Sequence, residues 1–436
     1  MTAGDDVRKR TGRNDAMALL GIGDIIQERK DHGLRVGDTI PRRAYILRSL
    51  KHPDEVTTLR AVYGRAFYLI AAYAPHDARR DHLARGIAQS RNEYPPDRHF
   101  EKAEQLITRD EEEIGISHGQ NLRDTFHRAD VFLDTSDREG LRESILRFVE
   151  LLFGNTFHTP TRREYSMFQA AGAALRSAEL GRQVGAAIST EGGDIIAVGS
   201  NEVPRAGGGL YWCDDKPDMR EFVQGFDSND QHKMNVFTDT LSYLQKAGWL
   251  NAEKATSDLQ RLTAEAFDVQ NPVLPQRSQI RNLIEFGRAV HAEMAAIVDA
   301  ARRGVSTEHA SMFVTAFPCH LCARHIVAAG IDYVFFIEPY AKSRTAELYP
   351  DSIALESSRA GVQQVLFQPF VGVAPRQYMS FFTATKRKKS DGSVLAFQSR
   401  GAVPRHEGIP RVYLESEDEQ VARLTTAMHQ QGILFK

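Results

Sequence analysis

Two stretches, "VHAEMAAI" (residues 290–297) and "TAFPCHLCARHI" (315–326), decide how this chain reads. The first sets a histidine and a glutamate two positions apart at the head of an apolar run with helical spacing. The second sets Cys319 and Cys322 one helical turn apart behind Pro318. Proline suits the first turn of a helix, where its missing N–H costs nothing. Side chains three apart share a helix face, so both thiolates can reach one ion. His291 supplies a third ligand. A set of one imidazole and two thiolates suits zinc and leaves a catalytic ion its open fourth position. Glu293 can face that position without binding the metal and carry a proton to and from it.

Plainer readings exist for each half. A lone C-x-x-C is also a redox pair or half of a structural zinc site, and H-x-E is common by chance. A structural zinc needs a fourth protein ligand, for which Cys213, His309, His320 and His325 are candidates. Cys213 otherwise reads as a small buried apolar residue. The two halves nevertheless occur in order, each opening a helix, with one helix and one strand between them. That arrangement favours the catalytic reading.

The rest of the composition narrows the class. The chain has 436 residues, 42% apolar and 26% charged, which is ordinary for about two globular domains. A formal net charge of −2 gives no global pull toward nucleic acid or an anionic membrane. The longest apolar run, 67–74, is far short of a membrane span, and no apolar core follows the basic residues near Met1. Three cysteines make no disulfide framework, which points to a reducing, cytoplasmic setting.

Along the chain, residues 1–155 read as one domain. The run 14–29 has helical spacing, with Asn14 or Asp15 as its cap, and 43–50, 66–74 and 129–134 read as buried strands of a doubly wound α/β layer. The acidic run at 109–115 reads as a solvated face. A second domain, 160–436, reads as helix 166–180, strand 183–190, a turn, and strand 195–200. A mostly helical insertion at about 213–285 follows. The pattern then resumes as helix 292–303, strand 311–317, helix 320–329, strand 332–337 and strand 362–370, and 385–392 reads as a basic surface turn.

From residue 166 to about 345, and again at 362–370, the chain resembles the cytidine and deoxycytidylate deaminase superfamily. His291-Ala292-Glu293 and Pro318-Cys319-His320-Leu321-Cys322 match its H-x-E and P-C-x-x-C signature. "RQVGAAIST" (182–190) and "GSNEVPRAGGGLYW" (199–212) are similar to its strand pair before the catalytic helix. The resemblance implies a three-layer α/β/α deaminase domain with Zn2+. His291, Cys319 and Cys322 would be its ligands and Glu293 its catalytic acid/base. Asn201 would contact the nucleotide sugar, with Arg182 and Arg205 near phosphate and Tyr340, Lys342 and Arg344 as further phosphate-chain candidates.

The whole chain resembles one subgroup more closely, the bacterial anti-phage dCTP deaminases, which join an N-terminal P-loop-kinase-like domain to the deaminase. Segments 45–64, 67–75 and 120–134 look like the later half of that domain. No Gly-Lys dipeptide occurs in the chain, so the Walker A loop is missing, either lost or upstream of Met1, and kinase chemistry is not expected. The implied function is hydrolytic deamination of free dCTP, with dCMP as a further candidate, depleting the pool in antiviral defence. The implied assembly is a homo-oligomer. Stable nucleic-acid binding is not expected, while a regulatory RNA or protein stays open. The rival readings are a deaminase editing tRNA or single-stranded DNA and a non-catalytic zinc-binding regulator.

Overall fold

The computed structural model describes residues 2–34, 39–111, 118–268, 272–275, 278–339, 343–355, 363–405 and 412–431. Among them the strands are β1 (Ile70–Tyr73), β2 (Val131–Asp134), β3 (Gly185–Ser189), β4 (Ile195–Ser200), β5 (Ser311–Ala316), β6 (Tyr333–Glu338), β7 (Ile353–Leu355), β8 (Val365–Pro369) and β9 (Gly372–Val373). The chain divides into two compact units, one of residues 1–164 with 369–436, the other of residues 165–368.

The second unit is built on a six-stranded sheet ordered β4-β3-β5-β6-β8-β7. β3 runs antiparallel to both β4 and β5, β5 is parallel to β6, and β7 is parallel to β8. Helix Ala292–Arg303 lies on this sheet through a face of alanines, Ala292, Ala296 and Ala300, all fully buried. Opposite them in β4 stands Gly199, where a Cβ would come within 2.2 Å of the Ala292 carbonyl oxygen. Small residues on the helix and a glycine on the strand bring the two backbones together. That close approach fixes where the helix begins. Met312, Val314, Ala323, Ile326 and Phe367 complete the same core. The insertion contributes helices Glu221–Gln224, Ser228–Lys246, Ala252–Ala255 and Leu259–Phe267, matching the helical stretch expected there.

The first unit departs from the sequence reading in three ways. Residues 43–50 form no strand. Ile46 is 87% exposed, while Leu47 and Leu50 turn inward onto the helix core of Ala16, Leu19, Ile22 and Leu59. The expected doubly wound layer is, among the described residues, a three-stranded sheet β1-β2-β9 in which only β1 and β2 are parallel. Finally, the C-terminal segment joins this unit rather than continuing the domain expected over 160–436. β9 pairs with β2 through Val131↔Val373 and Phe132↔Gly372, and Leu424 and Met428 of helix Val412–Gln430 fill the core beside Leu19 and Ile22. The acidic run 109–115 lies partly outside the described residues.

Helix Ala16–Asp31 begins where the sequence placed it, with Asp15 at its N-cap position. Asp15 is instead held by Arg13 and by the Thr58 hydroxyl, 2.6 Å away. Within the first unit a cavity of about 490 Å³ is lined by residues including Arg147, Phe148, Glu164, Gly372 and Val373. The Glu164 carboxylate is buried there and accepts two bonds from Arg147, each 2.8 Å, and further bonds from the amides of Thr161 and Val373.

Candidate active site

His291 is the N-cap residue of helix Ala292–Arg303, in extended conformation (φ −66°, ψ 153°). Just before it, Val290 and Glu202 exchange backbone hydrogen bonds of 3.0 and 3.3 Å, so the residue entering the helix is bridged to the segment that follows β4. Cys319 is the N-cap residue of helix His320–Ala328, with Cys322 one turn inside it. Pro318 therefore lies one residue ahead of the cap, not in the first turn. Its carbonyl accepts hydrogen bonds from Ser343 (2.8 Å) and Thr345 (3.3 Å), which tie the segment after β6 to the cysteine loop.

Two helix starts thus face one another, and their side chains converge. His291 Nδ1 lies 3.2 Å from Cys319 Sγ and 3.4 Å from Cys322 Sγ. Tetrahedral zinc, with bonds of ~2.0–2.1 Å to nitrogen and ~2.3 Å to sulfur, places such atoms about 3.6 Å apart. The donors need to open by only a few tenths of an ångström. Among the described residues this donor group contains no fourth His, Cys, Asp or Glu. Cys213, expected to be buried, is exposed because it sits in the loop ahead of the insertion.

The electrostatics favour a cation at this point. The Cys322 thiol and the His291 ring hold the Cys319 thiol well below its usual range, against the effect of burial. Cys322 is pushed the other way by its bond to Cys319, by burial and by Glu293. One thiolate is comfortable here and a second is not, unless a positive ion joins them. The Cys319 hydrogen bond raises His291 in turn. Glu293, in the first turn of its helix, is buried, and that burial followed by the Cys319 charge raises its carboxyl above the ordinary value. It also hydrogen-bonds Cys322, which places it beside the donor group.

The other expected contacts fare differently. Both amide atoms of Asn201 are engaged by backbone: Oδ1 accepts from the Val184 amide and Nδ2 donates to the Arg182 carbonyl, each at 2.7 Å. Asn201 thereby pins the loop leading into β3. Arg182 is paired with Glu338 at 2.5 Å, and Arg205 with Asp215. Arg344 is exposed at the start of the short helix Thr345–Leu348. Tyr340 and Lys342 lie outside the described residues.

Sequence reading missed three features. Glu202 is buried and anchors the amides of Ala178 and Val203 at 2.9 Å each. Arg176 lies 3.6 Å over the Trp212 ring and donates to the Leu210 carbonyl, fixing the glycine-rich loop. The carboxylates of Glu179, Glu221 and Asp227 gather into a second group. No local pattern signals these, since Ala178 and Glu202, Arg176 and Trp212, and Glu179 and Asp227 stand 24, 36 and 48 positions apart.

The fold and the triad together define an α/β domain with a His/Cys/Cys donor group and a buried carboxylate beside it. Residues 160–338 match the family described as the cytidine and deoxycytidylate deaminase zinc-binding region. It is 34% identical over 109 residues to ComE operon protein 2 of Bacillus subtilis (strain 168), covering 24% of this chain and 54% of that protein. It is 46% identical over 55 residues to the deoxycytidylate deaminase of Enterobacteria phage T4, covering 13% of this chain and 28% of that protein. The chain therefore spans about half or less of the length of the curated relatives it matches. Among solved structures, dCMP deaminase from the cyanophage S-TIM5 in complex with dCMP and dUMP aligns at 17% identity, covering 49% of this chain and all of that one, with a TM-score of 0.27. Among the described residues, no helix is long and apolar enough to cross a membrane.

Proposed function

We propose that residues 165–368 catalyse zinc-dependent hydrolytic deamination of a deoxycytidine nucleotide, dCTP and also dCMP, to the deoxyuridine nucleotide and ammonia. The observation that carries this reading is Glu293, a buried carboxylate with a raised pKa set beside a His/Cys/Cys donor group. A site that only binds metal has no use for such a group. His291, Cys319 and Cys322 would hold the zinc. When bound, zinc acidifies water so that a hydroxide nucleophile is available at neutral pH and can attack carbon 4 of cytosine.

The remaining work belongs to the chain. Glu293 takes the proton released by water and delivers it to the cytosine ring nitrogen, then takes the proton of the new hydroxyl on carbon 4 and passes it to the amino group, which leaves as ammonia as the carbonyl forms. Burial and the Cys319 charge raise its carboxyl, the direction that favours taking up a proton. The short bonds of Asn201 and the stacked Arg176–Trp212 pair keep the loops around 175–184 and 204–212 in place.

The resemblance to anti-phage dCTP deaminases supports a role in depleting the deoxycytidine nucleotide pool. It also supports reading the first unit as a kinase-like module without its phosphate loop, with a regulatory or oligomer-forming task. The test is to incubate zinc-loaded protein with dCMP, dCTP, CTP and a cytosine-containing oligonucleotide and to separate the products. Conversion of free deoxycytidine nucleotides supports the proposal. Conversion of the oligonucleotide alone replaces it with base editing, and no conversion of any substrate refutes it.

A further inference from the structure

The second group of carboxylates lies close to the triad. Glu179 sits in the turn after helix Arg162–Ala174, Glu221 begins helix Glu221–Gln224, and Asp227 is the N-cap residue of helix Ser228–Lys246. One oxygen from each lies within 4.8 Å of the others. Glu179 and His291 are near enough for each charge to act on the other. Glu221 is 97% buried, yet its Oε1 has no hydrogen-bond partner, and its other oxygen accepts one long bond of 3.4 Å from the Ser228 amide. Glu179 Oε2 is buried and equally unpartnered. An orphaned carboxylate oxygen at this depth costs stability unless something positive meets it.

Chemistry narrows what that is. Among the described residues no lysine or arginine is bonded to Glu179 or Glu221, and the donors are all carboxylate oxygens. Oxygen-only sites select hard divalent ions over zinc. Two oxygens on one ion are separated by at most twice the bond length, roughly 4.0–4.2 Å for Mg2+ and 4.6–5.2 Å for Ca2+. Oxygens within 4.8 Å of one another therefore suit a Ca2+-sized ion as they stand and need to close further on a smaller one only where they lie near that limit. We propose that Glu179, Glu221 and Asp227 hold a hard divalent cation of the Mg2+, Mn2+ or Ca2+ class beside the His/Cys/Cys triad.

Resting on the nucleotide reading, the ion also resolves a charge problem. Arg182 and Arg205, the basic residues expected to meet phosphate, are already paired with Glu338 and Asp215. Three carboxylates gathered together would repel an anionic nucleotide, and the cation neutralises them and can itself take phosphate oxygens. Burial, with Glu221 and Asp227 close by, raises the Glu179 carboxyl to about 7, the direction expected of a carboxylate that lacks a cation.

The test is a titration of the zinc-loaded full-length chain with Mn2+, with the free ion followed by electron paramagnetic resonance. The expected result is saturable binding of one Mn2+ per chain, displaced by Mg2+ or Ca2+. Binding should be weakened roughly tenfold or more in Glu179→Gln and in Glu221→Gln with zinc content unchanged. Glu179 is only half-buried, so its variant serves if Glu221→Gln does not fold. No saturable binding, or binding unaltered in both variants, overturns the site. A second arm measures dCTP affinity of zinc-loaded Glu293→Ala with and without Mn2+. Equal affinity overturns the charge-neutralising role. The Mn2+ arm needs no deamination, so a failure of the proposed activity leaves it standing.

Discussion

Gly199→Ala tests whether the closeness of one helix to the sheet is what forms the metal site. A Cβ at Gly199 would lie 2.2 Å from the Ala292 carbonyl oxygen, 2.5 Å from the Ala296 nitrogen and 3.0 Å from the Ala295 carbonyl carbon. All three are backbone atoms, and ordinary contact begins at 3.4 Å. No side chain can rotate away, so the helix carrying His291 and Glu293 must retreat by roughly 1 Å at its first turn. Overpacking of this kind costs ~1–3 kcal/mol. For a unit of this size that lowers Tm by roughly 2–12 °C. The same displacement pulls His291 away from Cys319 and Cys322, and a shift of ~1 Å at a catalytic centre costs about 10²-fold.

The assay is thermal unfolding together with zinc affinity measured by chelator competition. Gly185→Ala is the control. Its Cβ would meet the Ala170 carbonyl oxygen at 2.0 Å, but that helix carries no donor of the triad. Both variants should lose stability, and only Gly199→Ala should lose zinc affinity steeply. Wild-type Tm and zinc affinity in Gly199→Ala would refute the reasoning. Equal loss of zinc in the two variants would refute its local form.

Glu293→Ala should keep zinc and fold while deamination falls by ~10²–10⁴-fold, read from metal analysis and product formation on one preparation. Cys319→Ala should instead release the metal, because a single remaining thiolate with His291 makes a poor site. In the first unit, Arg147→Ala strips two bonds from the buried Glu164 carboxylate and should cost about 3 kcal/mol in urea unfolding. Burial alone would raise the Asp15 carboxyl, yet bonds from Arg13 and Thr58 hold it below the usual range. A depressed carboxyl contributes stability above its unfolded pKa of ~3.9 and loses it as pH falls through the folded value. The stability gap between wild type and Asp15→Asn should therefore be full at pH 7 and close in acid.

What could be read from sequence follows from how local each signal is. The run from His291 to β6 was legible because each element carries its own period: alanines at helical spacing after Glu293, then a short apolar strand, then cysteines three apart. The triad followed from two motifs whose residues meet only because their helices start side by side. Strand 43–50 failed because its apolar content serves two single anchors, Leu47 and Leu50, and not one face of a sheet. The C-terminal boundary was invisible for a related reason, since β9 is two residues long and has no period to detect. Arg182 read as a phosphate ligand because its partner Glu338 stands 156 positions away. Asn201 read as a substrate contact, although its short bonds to Arg182 and Val184 give it a structural task that no spacing reveals.

Zinc K-edge X-ray absorption on the zinc-loaded full-length chain addresses the central claim most directly, that His291, Cys319 and Cys322 form an open, catalytic zinc centre. The account predicts two sulfurs at ~2.3 Å, one imidazole nitrogen at ~2.0–2.1 Å and one further light atom from solvent. The spectrum should be unchanged in Cys213→Ser, because that cysteine is exposed and outside the donor group. A third sulfur or a second imidazole in the first shell would mean a closed, structural site and would contradict the account.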